Sequence, residues 1–229
     1  MKILAVAVLA AFLLGGCFSA DVNHPAMGPA PSGLAAHELK DNFSGVSSGT
    51  LRFRQVARFT FRGRTVAMVG MMELQPTRGK ARLVAVNELG IKLFDLEVSE
   101  DQILEHYVVP ELSRFPRFGE AVAFSLRRVF LAPRPAPQKD SLEFTGNRYL
   151  LTGKRDEGRV EFIFGEAHAA MIQKSMSGRS QKWRVIYRHH RRFENGFIPY
   201  DMELTDKVAG YRLELKIIDV KAGHEQTER

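Results

Sequence analysis

The chain has a single cysteine, a single tryptophan and no unbroken apolar stretch longer than twelve residues. One thiol excludes an internal disulfide framework and a cysteine-based zinc site. The longest apolar stretch, Ile3–Leu14, falls short of the roughly 20 residues that a spanning helix needs, which excludes a multi-span membrane protein. Phosphate-loop and dinucleotide fingerprints are missing. His24, His37, His106, His168 and His224 are scattered without acid–base or ligand spacing, so neither a metal nor a cofactor is expected. Gly45-Val46-Ser47-Ser48-Gly49 has the spacing of a nucleophile elbow, but that device turns from a strand into a helix. Here a proline-rich stretch precedes it and a strand pattern follows, and no enzymatic activity is expected. What remains is ordinary folded composition: 229 residues, 45% hydrophobic and 26% charged, enough for one large domain or two small ones.

The lone cysteine has a telling neighbourhood. Lys2 supplies a short positive region, Ile3–Leu14 an apolar one, and Leu14-Gly15-Gly16 leads directly into Cys17. This arrangement resembles the signal of bacterial lipoproteins, whose lipobox is a leucine, two small residues and a cysteine. The resemblance implies a diacylglyceryl thioether on Cys17, cleavage before it and a further acyl chain, typically palmitate, on the new amino terminus. An uncleaved anchor and a conventional signal with an incidental cysteine are the alternatives. Several acyl chains moor a protein stably, since each buried methylene contributes about 0.8 kcal/mol. Phe18 stands where an aspartate commonly favours inner-membrane retention, which implies the outer membrane, facing the periplasm. Loss of Lys2 with the signal leaves 32 basic against 26 acidic residues, a net charge of +6. Such a body is suited to anionic headgroups, and nucleic acid is excluded by compartment.

The stretch 17–48 reads as the lipidated cysteine and a tether, with Pro25, Pro29 and Pro31 preventing regular structure and Leu34–Phe43 predicted as a short helix. From Leu51 the chain reads as strands. Leu51, Phe53, Ala57, Phe59 and Phe61 alternate with Arg52, Arg54, Arg58, Thr60 and Arg62, giving one apolar and one basic face. Thr65–Leu74 returns after Gly63, apolar on both faces, and further strands follow at Arg82–Val86, Ile91–Val98 and Ile103–Val109. Phe118–Leu131 switches to helical spacing, Pro133, Pro135 and Pro137 form a stiff break, and seven more strands run from Ser141 to Val220. Twelve strands with one inserted helix suggest a single curved antiparallel sheet that rolls around the helix, with an interior that side chains fail to fill. The expected organisation is a signal over 1–16, a tether over 17–48, one half-barrel domain over 49–222 and a tail over 223–229.

Two stretches resemble the LolA/LolB family of lipoprotein carriers. Phe197-Ile198-Pro199-Tyr200-Asp201-Met202-Glu203-Leu204, followed by Tyr211–Val220, looks like the family's final strand pair. Asn87-Glu88-Leu89-Gly90 is similar to the membrane-bound member's Asn-Pro-Leu-Gly loop, with Glu88 where that loop has proline. The resemblance implies an unclosed antiparallel half-barrel lidded by helix around an apolar cavity, and an exposed leucine that assists transfer into the outer membrane. On that basis Leu89 is the candidate membrane-insertion residue.

Acyl chains need an apolar wall that can remodel, a task suited to methionine. Met68, Met71 and Met72, with Phe59 and Phe61 on the hairpin partner, are the candidate ligand-binding residues, together with Leu93, Phe94, Leu96 and Phe124; packing in an ordinary core is the alternative for each. Arg184, Arg188, His189, His190, Arg191 and Arg192 form the densest basic run, predicted as a strand with Arg188, His190 and Arg192 on one face. The expected function is a monomeric outer-membrane lipoprotein that binds a hydrophobic or acylated ligand, a protein or lipid cargo, as carrier or receptor in lipoprotein or glycolipid delivery. Outer-membrane lipid and a periplasmic carrier protein are the expected partners. The alternative is a non-transporting scaffold of an envelope assembly, and a periplasmic hydrolase is weaker still.

Overall fold

The computed structural model describes residues 29–39, 41–43, 45 and 49–223. The signal, Cys17, most of the tether, Ser47 and the tail beyond Gly223 lie outside the described residues.

Alternation of apolar and polar residues produces the strands. In β1 (Leu51–Phe61), Leu51, Phe53, Gln55 and Ala57 are buried while Arg52, Arg54 and Arg58 are exposed. Arg62 and Gly63, both with positive φ (49° and 74°), make the two-residue turn into β2 (Arg64–Gln75). Then follow β3 (Lys80–Val86), β4 (Lys92–Val98) and β5 (Ile103–Val108), a helical turn α1 (Pro110–Ser113) and the helix α2 (Phe118–Leu126). The second half is a meander of β6 (Ser141–Thr145), β7 (Arg148–Arg155), β8 (Gly158–Gly165), β9 (Ala170–Ser177), β10 (Lys182–Phe193), β11 (Gly196–Asp206) and β12 (Tyr211–Ala222). The described elements form one antiparallel sheet of 12 strands in the order β5-β4-β3-β2-β1-β12-β11-β10-β9-β8-β7-β6. β1 and β12 pair at its centre, from Leu51 opposite Ala222 to Phe61 opposite Tyr211. β5 and β6 are its two edges, so the sheet is unclosed, and the connection between them carries the helix from one limb to the other.

Two predicted elements differ. The expected helix Leu34–Phe43 is reduced to a single turn, Ala36–Glu38. Contacts with the sheet tie the segment down: the Leu34 backbone amide donates to the Tyr149 hydroxyl at 2.9 Å and the Asn42 side-chain amide to the Met171 carbonyl at 2.9 Å. The expected helix Phe118–Leu131 is α-helical only to Leu126, and Arg127–Leu131 is a π-helical turn. The wider turn buries three consecutive residues, Val129, Phe130 and Leu131, against the sheet.

This segment fills the concave face. Phe130 packs on Phe53 and on Phe43 of the entering chain, with ring centroids 5.7 and 5.3 Å apart. Tyr187 donates to the Val129 carbonyl at 2.8 Å, and Ser125 shares a 2.9 Å hydrogen bond with Tyr211. The apolar hollow expected beneath the helix is therefore occupied by the protein's own side chains.

The edge strand β6 is fixed by a bidentate pair: Arg155 reaches both oxygens of Asp140, at 2.9 and 3.0 Å, and Asp140 also accepts the Ala136 amide. Burial pushes the Asp140 carboxyl up, but the Arg155 and Ala136 hydrogen bonds pull it further down, and the net lies below the ordinary carboxylate value. Asp140→Ala strands Arg155 and is expected to cost about 3 kcal/mol, read as a lower denaturant midpoint. Because the folded state depresses this group, its contribution is present above the unfolded carboxylate value and lost as pH falls through the folded one. An acid titration of stability should lose that component in the Asp140→Ala protein.

Candidate functional site

A cleft of about 900 Å³ lies along the open side of the half-barrel, where the chain from Phe124 to Lys139 runs between the two limbs. Its large apolar side chains are Phe124, Leu131, Met176 and Trp183. Arg128 sits between two of these rings, 5.7 Å from the Phe124 centroid and 5.5 Å from that of Trp183. The same guanidinium is held by buried Asp206 at 2.5 Å and lies 3.3 Å from the Tyr211 hydroxyl. Asp206 also accepts the Val208 and Ala209 amides, both at 2.8 Å, so one carboxylate orients Arg128 and closes the β11–β12 turn.

Other cations ring the cleft. Arg127 donates to the Ser99 and Gln102 carbonyls, and Arg134 to those of Leu131 and Pro76, contacts that orient the guanidinium groups without neutralising them. Lys139 and Lys154 add exposed charge, and Glu100, Asp101, Asp156 and Glu157 stand at the turns on either side. Behind the lining, Lys174 is 2% exposed and its ammonium donates to the Pro133 carbonyl at 3.3 Å. Burial lowers its pKa to about 8 against the opposing attraction of Asp41, with Arg134 pushing the same way as burial. Burial likewise raises Tyr187 and Tyr211, so both hydroxyls remain protonated donors at neutral pH. An apolar floor, fixed cations and a mixed rim can hold an amphiphile: chain below, polar head above.

The nine residues expected to bind ligand do not converge there. Phe124 is the one that lines the large cleft. Met72, Phe94 and Leu96 are buried, Phe94 edge-on to Phe118 at 5.4 Å, and Phe59, Met68 and Leu93 are half-buried against the same core. Phe61 is exposed near the β1–β2 turn, under the Arg62 guanidinium. Met71 points away from Met68 and Met72, out of the concave face, into a separate shallow cleft of about 350 Å³ beside Arg52 and Arg82. Sequence reasoning missed Arg128, Met176 and Leu131 as cleft residues.

Leu89 is 83% exposed at the β3–β4 tip, with Ile91 also exposed. The loop needs no proline for its shape: the Asn87 side-chain oxygen accepts the Leu89 and Ile91 amides at 3.0 and 2.9 Å. The basic run departs from strict alternation. His189 has φ 56°, and His190 is buried while Arg188, His189, Arg191 and Arg192 are exposed. His189 pairs with Asp201, and Arg191 stacks 4.2 Å from the Tyr200 centroid. Among the described residues no group of three metal-ligating side chains occurs, and no helix is long and apolar enough to cross a membrane.

No family model and no curated protein sequence matches the chain. Among solved structures it is similar to a putative outer membrane lipoprotein-sorting protein domain from Vibrio parahaemolyticus, at 7% identity and TM-score 0.50, over 80% of this chain and 88% of that one. It is also similar to a LolA superfamily protein from Nitrosomonas europaea, at 9% identity and TM-score 0.53, over 83% of this chain and 94% of that one. Identity this low makes the likeness one of fold.

Proposed function

We propose that this chain, a half-barrel of the LolA-like fold, is an outer-membrane lipoprotein, anchored through Cys17, that receives an acylated or otherwise hydrophobic cargo and passes it to the membrane without covalent chemistry. The observation that carries this reading is the cleft: about 900 Å³ of amphipathic space beside α2, with Phe124 and Trp183 bracketing a fixed arginine. Transfer of an acyl chain between two apolar environments needs no catalyst, only a difference in affinity. Of the nine apolar residues named from the sequence, Phe124 is the one placed to meet an entering chain in this cleft, and Leu89 is the contact with the bilayer.

Mass spectrometry of lipid extracted from the purified protein tests the reading. One acyl-bearing molecule per chain supports carriage, and no stoichiometric lipid, with no binding of added palmitoyl lipid, removes it. Phe124→Glu is expected to weaken binding of a palmitoyl probe about tenfold by placing a carboxylate on the apolar floor. Leu89→Glu should leave probe affinity unchanged while abolishing delivery of cargo to vesicles; unaltered delivery would strip Leu89 of its role. The filled concave face favours a second reading, a non-transporting scaffold of an envelope assembly, which the same lipid extraction separates from the first.

A further inference from the structure

The chain entering the half-barrel behaves as a strap laid over its interior. Leu39 and Phe43 are buried, and Phe43 completes the ring cluster with Phe53 and Phe130. At one end the Tyr149 hydroxyl donates to the Pro31 carbonyl and accepts the Leu34 amide. At the other, Asn42 is gripped from two sides. Its amide nitrogen donates to the Met171 carbonyl, which leaves its side-chain oxygen as the atom facing His190 Nε2 at 3.3 Å. His190 Nδ1 faces the Glu166 carboxylate at 3.4 Å. Both ring nitrogens of a buried imidazole therefore confront acceptors. A neutral ring carries one N–H and can serve only one of them, whereas the imidazolium serves both.

We propose that the strap, residues 31–39 and 41–43, is a displaceable plug of the half-barrel interior, and that buried His190, set between Glu166 and Asn42, is its latch. The latch connects the strap to β10 and to the turn between β8 and β9. The charged and titratable groups around it are Glu166 and His168 on that turn, Asp41 beside Asn42 on the strap, Asp201 across from His189 on β11, and His189 and Arg191 on β10 itself. The His190 ring beside it holds Glu166 below its ordinary carboxylate value, against the opposing effect of burial. Loss of the imidazole leaves Asn42 without its partner on β10 and loosens the strap. A released Phe43 vacates apolar space beside Phe53 and Phe130, which an acyl chain can take. That last step rests on the carrier reading; the latch does not.

Two measurements on the full chain test it. Hydrogen exchange of the amides of residues 34–39 and 41–43 should quicken at least tenfold in His190→Gln relative to wild type at the same pH, while exchange in β1 stays unchanged. Glu166→Gln should act in the same direction and serves if the first variant fails to fold. Unchanged strap exchange in both variants, or equal quickening throughout the sheet, overturns the latch. A pyrene-labelled palmitate then reports on the plug: Phe43→Ala should bind it about tenfold more tightly than wild type, and equal or weaker binding overturns displacement. Failure of every protein to bind the probe counts against the carrier reading and displacement together, while the exchange measurement still decides the latch.

Discussion

Asp206→Ala is expected to lower the unfolding free energy by about 3–5 kcal/mol. The carboxylate is buried, its partner Arg128 is nearly so, and three donors converge on it: the guanidinium and the Val208 and Ala209 amides. Alanine leaves an unpaired guanidinium between two aromatic rings and two turn amides without their acceptor. Chemical denaturation should show a lower midpoint at unchanged slope. Arg128→Met is the informative control. It removes the charge and keeps a side chain that can pack on Phe124 and Trp183, but it still strands Asp206, so its cost should be reduced by the retained packing. A combined Arg128→Met and Asp206→Ala change should cost less than the sum of the two, because the second removes the charge the first left exposed. An additive pair would mean that Arg128 and Asp206 are not coupled as described.

Lys174→Met is expected to act in the opposite direction. With the folded pKa at about 8 and an ordinary lysine near 10.5, folding at neutral pH is carried out against the cost of burying a charged ammonium. Between those two values the unfolded chain holds more protons than the folded one, so the stability of the wild type should rise as the pH is taken from about 8 to about 10. The integrated gain is a few kcal/mol at most, from 1.36 kcal/mol per pKa unit. Methionine at this position should abolish that rise and make the protein more stable at neutral pH. The gain is tempered by Asp41, whose carboxyl is already raised by burial and would lose the favourable charge of Lys174. Stability curves at several pH values check the sign directly, and a wild type whose stability is flat or falls across that interval contradicts it.

The strands were legible because this sheet has one wet face and one packed face, so that period-two alternation marks each element and glycine or proline marks most turns. Burial of Leu51, Phe53 and Ala57 against exposure of Arg52, Arg54 and Arg58 is that pattern realised. The same rule, applied residue by residue, would have separated Met71 from Met68 and Met72, since odd and even positions of a strand cannot share a side. Other features leave no such trace. Pairing of β1 with β12 joins segments about as far apart as this chain allows, and no local pattern announces it. The inward turn of His190 follows from a positive φ at a histidine, which sequence does not reveal. The strap looked like a helix because its apolar residues have suitable spacing, yet beyond one local turn it is held by Tyr149, Met171 and His190, partners more than 100 residues away. The cleft combines the π-helical turn with loops from both limbs, so its members could be assembled only once the sheet order was known.

The central seam between β1 and β12 also dictates when the molecule can become whole. As the chain folds from its amino-terminal side, β1–β5 and then β6–β11 can each zip up by hairpins, but they stay two separate half-sheets until the final strand arrives. Their union awaits a contact spanning some 160 residues, a slow, high-contact-order event that leaves a raw β1 edge exposed throughout. Any chaperone that escorts this chain has β1 as the place to sit, and a truncation just before Tyr211 should leave two sticky fragments on one string, prone to aggregate in place of a partially working protein.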